Sequence, residues 1–445
     1  MTPKTRVRQL LPVILLAVGV LALGACSAYP NSTFNHNTDL NTSTDALWNR
    51  LLFWGTFVFV FVEGILIFTI IKFRKREGGP PVQMTHGNTK LEVTWTVLPI
   101  VILILIAIPT VKTIFQTQAP APSGALEIEV YGHQWWWEYR YPQYGFATAN
   151  EFYIPKGRPV NFTLQTRDVL HSFWVPQMGG KRDLIANRVN HLWYTPNTDV
   201  ETMVWNGFCT EYCGTSHANM RIRAYTVSPE EFESWAQGQK APAMIAVAPP
   251  PAAPAAPAGK APAGKAPTGR GGAAMASLAG GNTVTAAAGD VATQTAAPYV
   301  FPADKLPSYA IPKTPYPAAM TFDDALLAKG DAARGQALMA AGPPKTMCSS
   351  CHTLNGMPNM AGFTAPNLTH IASRHTIAAG LYPNDAHHLA RWIKDAPMMK
   401  PGALMNTWGM GMFDPMTKKT VGDKTMGALN EQQIADIVAF LQTLK

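Results

Sequence analysis

Between Cys209 and Met220 the chain reads C-T-E-Y-C-G-T-S-H-A-N-M. Two thiols, an imidazole and a thioether at this spacing are the soft and borderline donors that copper takes. Thiolates so close can share metal ions, which points to a cluster rather than a single ion. A loop this short cannot supply every ligand, and His171, in D-V-L-H-S-F-W-V-P, is the candidate from elsewhere. Two other readings stand beside this one. A disulfide would suit an oxidising compartment; zinc is disfavoured by the thioether and by the C-x3-C spacing. Further along, Cys348, Cys351 and His352 form C-S-S-C-H, the attachment signature of a c-type haem, with His352 as the proximal ligand. A bare C-x-x-C also serves as a thiol–disulfide pair, but the adjacent His favours haem.

The pattern C-x-E-x-C-G-x-x-H-x-x-M, preceded by D-V-L-H-S-x-x-V-P, resembles the binuclear copper (CuA) site of cytochrome c oxidase subunit II, and the resemblance spans residues 40 to 230. It implies two copper ions bridged by the Cys209 and Cys213 thiolates. The imidazoles of His171 and His217, the Met220 thioether and the Glu211 carbonyl would complete the set. It further implies a magnesium ion shared with subunit I and faced by the Glu211 side chain. G-H-Q-W-W-W-E-Y is similar to the family's aromatic stretch and puts Trp135 where electrons from cytochrome c enter; Trp136, Trp137 and Tyr139 include core residues. K-R-D-L-I-A-N-R-V-N resembles the segment facing subunit I, with Asp183 and Arg188 in place. In L-E-V-T-W-T-V-L-P, Glu92 matches the entrance of a proton pathway, or is a solvated carboxylate at a helix end.

These residues need elements to hold them. Residues 1–25 have a basic start, an apolar run and L-G-A-C, a secretory signal in which Cys26 resembles a lipidation site. Two apolar spans come next, 47–71 and 91–115, each long enough to cross a bilayer. Lys72, Arg74, Lys75 and Arg76 after the first place that end in the cytoplasm, so everything after residue 116 lies outside. Glu63 interrupts the first span and reads as facing a protein partner. From Leu126, short alternating runs broken by Pro and Gly describe an antiparallel sandwich; the family fold is a cupredoxin-like Greek key, expected over 125–235. Residues 241–300, rich in Ala, Pro and Gly, cannot bury enough surface to order themselves and form a flexible linker, which tethers the C-terminal domain at high effective concentration.

Residues 318–445 resemble a class I cytochrome c: a helix within Thr321–Ala341 before the haem motif, and an amphipathic helix closing the chain. W-I-K-D-A-P-M-M-K-P-G-A-L-M is similar to the stretch that carries the second axial ligand and selects Met405. The family's following Pro is replaced by Asn406, so Met410 and Met412 stay open.

The five cysteines each have a role without a structural disulfide. The formal charge of +8 raises nucleic acid as a partner, but many of the basic residues lie in the N-terminal tail, beside an apolar span or in the linker, and no basic-aromatic motif accompanies them. The expected protein is multi-domain: a transmembrane helical hairpin, a copper sandwich, a linker and an all-α haem domain in a bacterial inner membrane, with both redox domains on the periplasmic face. It would pass electrons from a c-type cytochrome or similar donor through haem c and copper to oxidase subunit I, in company with other oxidase subunits. The competing readings are a subunit of a copper-containing nitric oxide reductase and a periplasmic copper-delivery lipoprotein.

Overall fold

The computed structural model describes residues 16–19, 31–74, 86–243, 298–342, 346–357, 359–422 and 424–445. Most of the signal segment, Cys26, Lys75, Arg76 and most of the linker lie outside the described residues.

The first long helix is Asp39–Lys72 and the second Thr89–Gln118, each extending beyond the apolar run that foretold it. Their apolar side chains are exposed nearly all round, the surface of a segment solvated by lipid rather than by water. The outer end of the first helix is fixed to the sandwich. The Thr38 hydroxyl caps the helix by accepting from the Asn41 amide at 3.1 Å and donates to the Met178 carbonyl at 2.6 Å. The Asn41 side chain donates to the Pro176 carbonyl. The second helix ends under the Trp193 indole, which donates to the Ala119 carbonyl at 2.7 Å.

The sandwich comprises β1 (Leu126–His133), β2 (Trp136–Tyr141), β3 (Phe146–Ala149), β4 (Glu151–Pro155), β5 (Val160–Thr166), β6 (His171–Trp174), β7 (Arg182–Leu184), β8 (Asn190–Tyr194), β9 (Met203–Cys209) and β10 (Arg221–Val227). One sheet has the order β3-β2-β1-β5-β8, the other β4-β10-β9-β6-β7. Between them the fully buried Trp137, Tyr139, Phe152, Phe162 and Phe173 interlock at ring distances of 4.7 to 6.4 Å. The sheets are mixed rather than antiparallel throughout: β1 pairs with β5, and β4 with β10, in parallel. The chain changes sheets between these strands, so each returns in the same direction as its neighbour.

The helix Pro229–Lys240, started by a Ser228–Glu231 capping box, buries Phe232 and Trp235 on the sandwich and carries it past the expected end at 235. After the linker, residues 299–310 come back to the same core, with Phe301 and Ala310 buried there. Ala243, by contrast, is buried in the haem region, and the Ala241 carbonyl lies 2.9 Å from His370 Nε2.

The haem region has helices Ala332–Ala341, Ala386–Lys394 and Glu431–Leu441 around its own core, with a single turn at Cys348–Cys351. The single helix expected within Thr321–Ala341 is instead a 3-10 turn, Asp324–Lys329, followed by an α-helix. Gly330 separates them and Asp331 caps the second part by accepting from the Arg334 amide. The first and last helices cross at Gly335, where a Cβ would stand 2.0 Å from the Asp436 carbonyl oxygen. Only hydrogen fits at that crossing. The Asp436 carboxylate accepts from the Asp331 amide and, at 2.8 Å on each oxygen, from the Arg334 guanidinium.

Candidate metal centre and haem-attachment site

Strands β10, β9 and β6 are neighbours, and this brings the copper-type ligands together. His171 opens β6, Cys209 closes β9 opposite Phe173, and Met220 directly precedes β10. The loop from 210 to 220 is closed at its base by the Cys209 amide donating to the Met220 carbonyl at 3.1 Å. Within it the donors form an unbroken run. His171 Nδ1 lies 3.8 Å from Cys209 Sγ, which lies 3.8 Å from Cys213 Sγ, itself 3.6 Å from His217 Nδ1. The Glu211 carbonyl oxygen is 3.3 Å from Cys209 Sγ. Met220 is buried beneath.

Metal–thiolate bonds of about 2.3 Å let an ion touch both sulfurs at this separation, so the donor set fits bridged metal. The electrostatics agree. Cys209 is held well below the usual thiol range by hydrogen bonding from Cys213, and further by His171, while Cys213 is pushed up by the thiolate beside it. Two thiolates this close repel one another, and a cation between them would relieve that repulsion.

Residues outside the motif aim the ligands. Burial opposes protonation of His171, but the Asp168 carboxylate, 2.8 Å from Nε2, outweighs it and fixes the ring with Nδ1 toward sulfur. The other Asp168 oxygen accepts from the Gln134 amide at 2.7 Å. Gln134 Nε2 and Trp135 Nε1 both donate to the Cys213 carbonyl, at 2.8 and 3.0 Å. Gly132 lies beneath the His171 ring; a Cβ there would be 2.6 Å from Cδ2. Asp168 and Gly132 were missed in the sequence, although an Asp three residues before a ligand His is a readable sign of such support.

Trp135 is partly buried against Gly214 of the copper loop. Trp137 and Tyr139 are core, whereas Trp136 stacks on His133 at 4.1 Å. Glu211, Asp183 and Arg188 are exposed, with Asp183 accepting from the Ser172 hydroxyl at 2.7 Å. Glu92 is exposed in the first turn of the second long helix, and Glu63 is partly buried within the apolar run of the first.

In the haem region, Cys348 and Cys351 flank one helical turn, and the His352 amide donates to the Cys348 carbonyl at 2.9 Å. His352 Nδ1 is 2.7 Å from the Pro366 carbonyl, which commits that nitrogen as donor and leaves Nε2 as the free ligand. Burial lowers the imidazole pKa, keeping it neutral. Burial pushes the Cys348 thiol up to about 11. Met405 packs against the core that also holds Cys348, as does Met412, whereas Met410 is exposed. Thr407, whose hydroxyl donates to Asp395 at 3.0 Å, pins the Met405 loop. These residues fit a covalent haem.

Comparison with known proteins agrees. Residues 34–113 match the transmembrane domain of cytochrome c oxidase subunit II, 145–227 its periplasmic domain and 332–445 cytochrome c. The "probable cytochrome c oxidase subunit 2" of Rickettsia bellii is 34% identical over 206 residues, covering 42% of this chain and 75% of that one. This chain belongs to the cytochrome c oxidase subunit II family. The subunit 2 of Alkalihalophilus pseudofirmus is 38% identical over 190 residues, 41% of this chain but only 55% of that relative's length. The solved periplasmic domain of subunit II from Bradyrhizobium japonicum is 31% identical over 27% of this chain and 96% of that one, at a TM-score of 0.25. As a member of the family the chain is a two-span membrane protein with a periplasmic CuA-type domain, to which a cytochrome c domain is fused.

Proposed function

We propose that this chain is the electron-relay subunit of a haem-copper oxidase. The observation that carries the reading is the unbroken run from His171 Nδ1 through both thiols to His217 Nδ1, at 3.6 to 3.8 Å per step, in a chain that also has the haem-attachment turn. When bound, haem and the copper pair supply successive one-electron carriers between a c-type cytochrome or similar donor and oxidase subunit I, where oxygen is reduced to water.

The residues have distinct tasks. Cys209, Cys213, His171 and His217 would hold the copper pair, with Met220 and the Glu211 carbonyl completing the donor set. Cys348 and Cys351 would bond the haem, and His352 and Met405 would supply ligands to its iron. Trp135, bonded to the Cys213 carbonyl, is the electron entry to copper. The exposed Glu211 carboxylate reaches a magnesium ion shared with subunit I, Asp183 and Arg188 face that subunit, and Glu92 opens its proton path. Cys26 carries lipid at the mature N-terminus. A rigid aromatic sandwich suits this work, because a metal held in one geometry reorganises little when its charge changes.

The test is metal content, optical spectrum and copper EPR on one sample of the full chain, matured with copper and haem. Two coppers sharing one unpaired electron, with one covalent haem, are expected. A localised single-copper signal, or none beside an intact haem, would sink the binuclear assignment.

A further inference from the structure

Two of the buried charged side chains among the described residues take no part in holding copper or haem and are satisfied across the boundary between the two redox domains. Glu151 on β4 is 3% exposed. Its Oε1 accepts from the Thr376 amide at 2.7 Å and from the Thr376 hydroxyl at 2.6 Å, and its Oε2 accepts from the His375 amide at 3.1 Å. All three donors belong to the haem region. The neighbouring ring locks in as well. His375 Nε2 is 2.8 Å from the Phe301 carbonyl and must donate there, so Nδ1 accepts from the Tyr225 hydroxyl of β10 at 2.9 Å.

Lys400, five residues before Met405, is the reverse case. It is 3% exposed and has no carboxylate partner among the described residues. Its ammonium donates to the Trp135 carbonyl at 2.6 Å and to the Ala378 carbonyl at 3.2 Å. Burial pulls its pKa down to about 7. Beside it, a Cβ on Gly402 would come within 2.8 Å of Trp135 Cζ3, so the backbone of the Met405 loop rests directly on the indole. The Ser216 hydroxyl donates to the Pro401 carbonyl. The Arg221 amide, next to Met220, donates to the Ala379 carbonyl at 3.1 Å. Trp135 is thus held between Gly214 of the copper loop and Gly402 of the haem loop.

Transient electron-transfer contacts are small, wet and steered by charges at the rim. This boundary instead matches buried charges to partners one by one with charge-assisted hydrogen bonds. We propose that Glu151 and Lys400 are positioning residues that hold this chain's own haem domain in a fixed seat on the face of the copper domain around Trp135, and so set the rate of haem-to-copper transfer. The proposal rests on the relay reading for its consequence, but the seat itself does not depend on metal.

The test uses the full chain, matured with haem and copper in detergent, with a protease site inserted after Lys313, an exposed position between the two domains. After cleavage the haem fragment should co-elute with the rest on gel filtration, and separation of the wild-type fragments would overturn the seat. With Glu151→Ala and Lys400→Met combined, association should weaken by about a hundredfold or more, and retention equal to wild type would remove these residues from the positioning role. In the uncut chain, stopped-flow reduction by a soluble c-type cytochrome should resolve haem-to-copper transfer. The double variant should slow haem-to-copper transfer by about tenfold or more, with the copper EPR and haem spectrum unchanged. Co-elution with an absent or mononuclear copper signal would support the seat while the relay reading alone failed.

Discussion

The two redox sites of this chain are built in opposite ways. The copper-type loop packs its ligands against an aromatic sandwich, and each donor in the run from His171 to His217 already stands within 4 Å of the next. One thiol is held easily ionised by its neighbour, a thiolate ready to receive metal. The haem-attachment turn keeps Cys351 exposed and the Cys348 thiol protonated, with Met405 on a loop elsewhere in the sequence. Metal–ligand bonds are reversible, so the protein must hold the geometry before the ion arrives. Thioether bonds are permanent, so a short motif suffices and the remainder of the site needs only to close over the cofactor. Precision is thus invested in the copper scaffold and covalency in the haem.

Substitutions can break this contrast. The largest effect is expected from Cys213→Ser, which should abolish the delocalised copper EPR signal and leave the haem spectrum intact. His352→Ala should do the reverse, with the haem still attached through its thioethers but its optical and redox properties changed. Next, Asp168→Ala should weaken copper binding by roughly 10–100-fold, read from a copper titration, because His171 loses the partner that aims it.

Gly132→Ala sharpens the comparison further. The added methyl meets the His171 ring and should cost about 1–3 kcal/mol in denaturant unfolding, with a broadened copper signal. Gly335→Ala should bring a loss of similar kind confined to the haem region, where the obstacle is helix backbone rather than a ring. The smallest effect is pH-dependent. Burial would raise the Asp436 pKa, but the hydrogen bond from Arg334 outweighs it and the pKa is lowered in the folded state. The stabilisation is therefore present above the unfolded carboxylate value, about 3.9, and is lost as pH falls through the lower folded value. Asp436→Asn should lower the melting temperature at pH 7 by roughly 5 °C and flatten the decline below pH 4, followed through the haem absorbance.

What was legible in the sequence was whatever chemistry is local. Cys209 to Met220 is one loop, C-S-S-C-H is one turn, and the apolar spans are continuous, so spacing alone reports them. The partners were legible in proportion to their distance along the chain. Asp168, three residues from His171, could have been found. Glu151 and Thr376, 225 residues apart, could not, because only the docking of two domains brings them together. Alternation indicated strands but not their direction, hence the parallel pairs within a sandwich expected to be antiparallel. Apolar pattern likewise joined Asp324–Lys329 to Ala332–Ala341, where the cap at Asp331 and the break at Gly330 divide them. Met405 rests on a resemblance, and the packing of Met412 on the same core keeps a spectroscopic test of both worthwhile.

The two ends of the linker have a further consequence. Ala243, before it, is buried in the haem region, while Phe301, after it, is buried in the sandwich. Each domain thus grips the strand that leaves the other, as two hands hold crossed ropes. A linker anchored in this way at both ends no longer sets how far the haem can travel. Its length is then a matter for synthesis and export rather than for the current it spans, and residues can be added or removed there without moving either redox site.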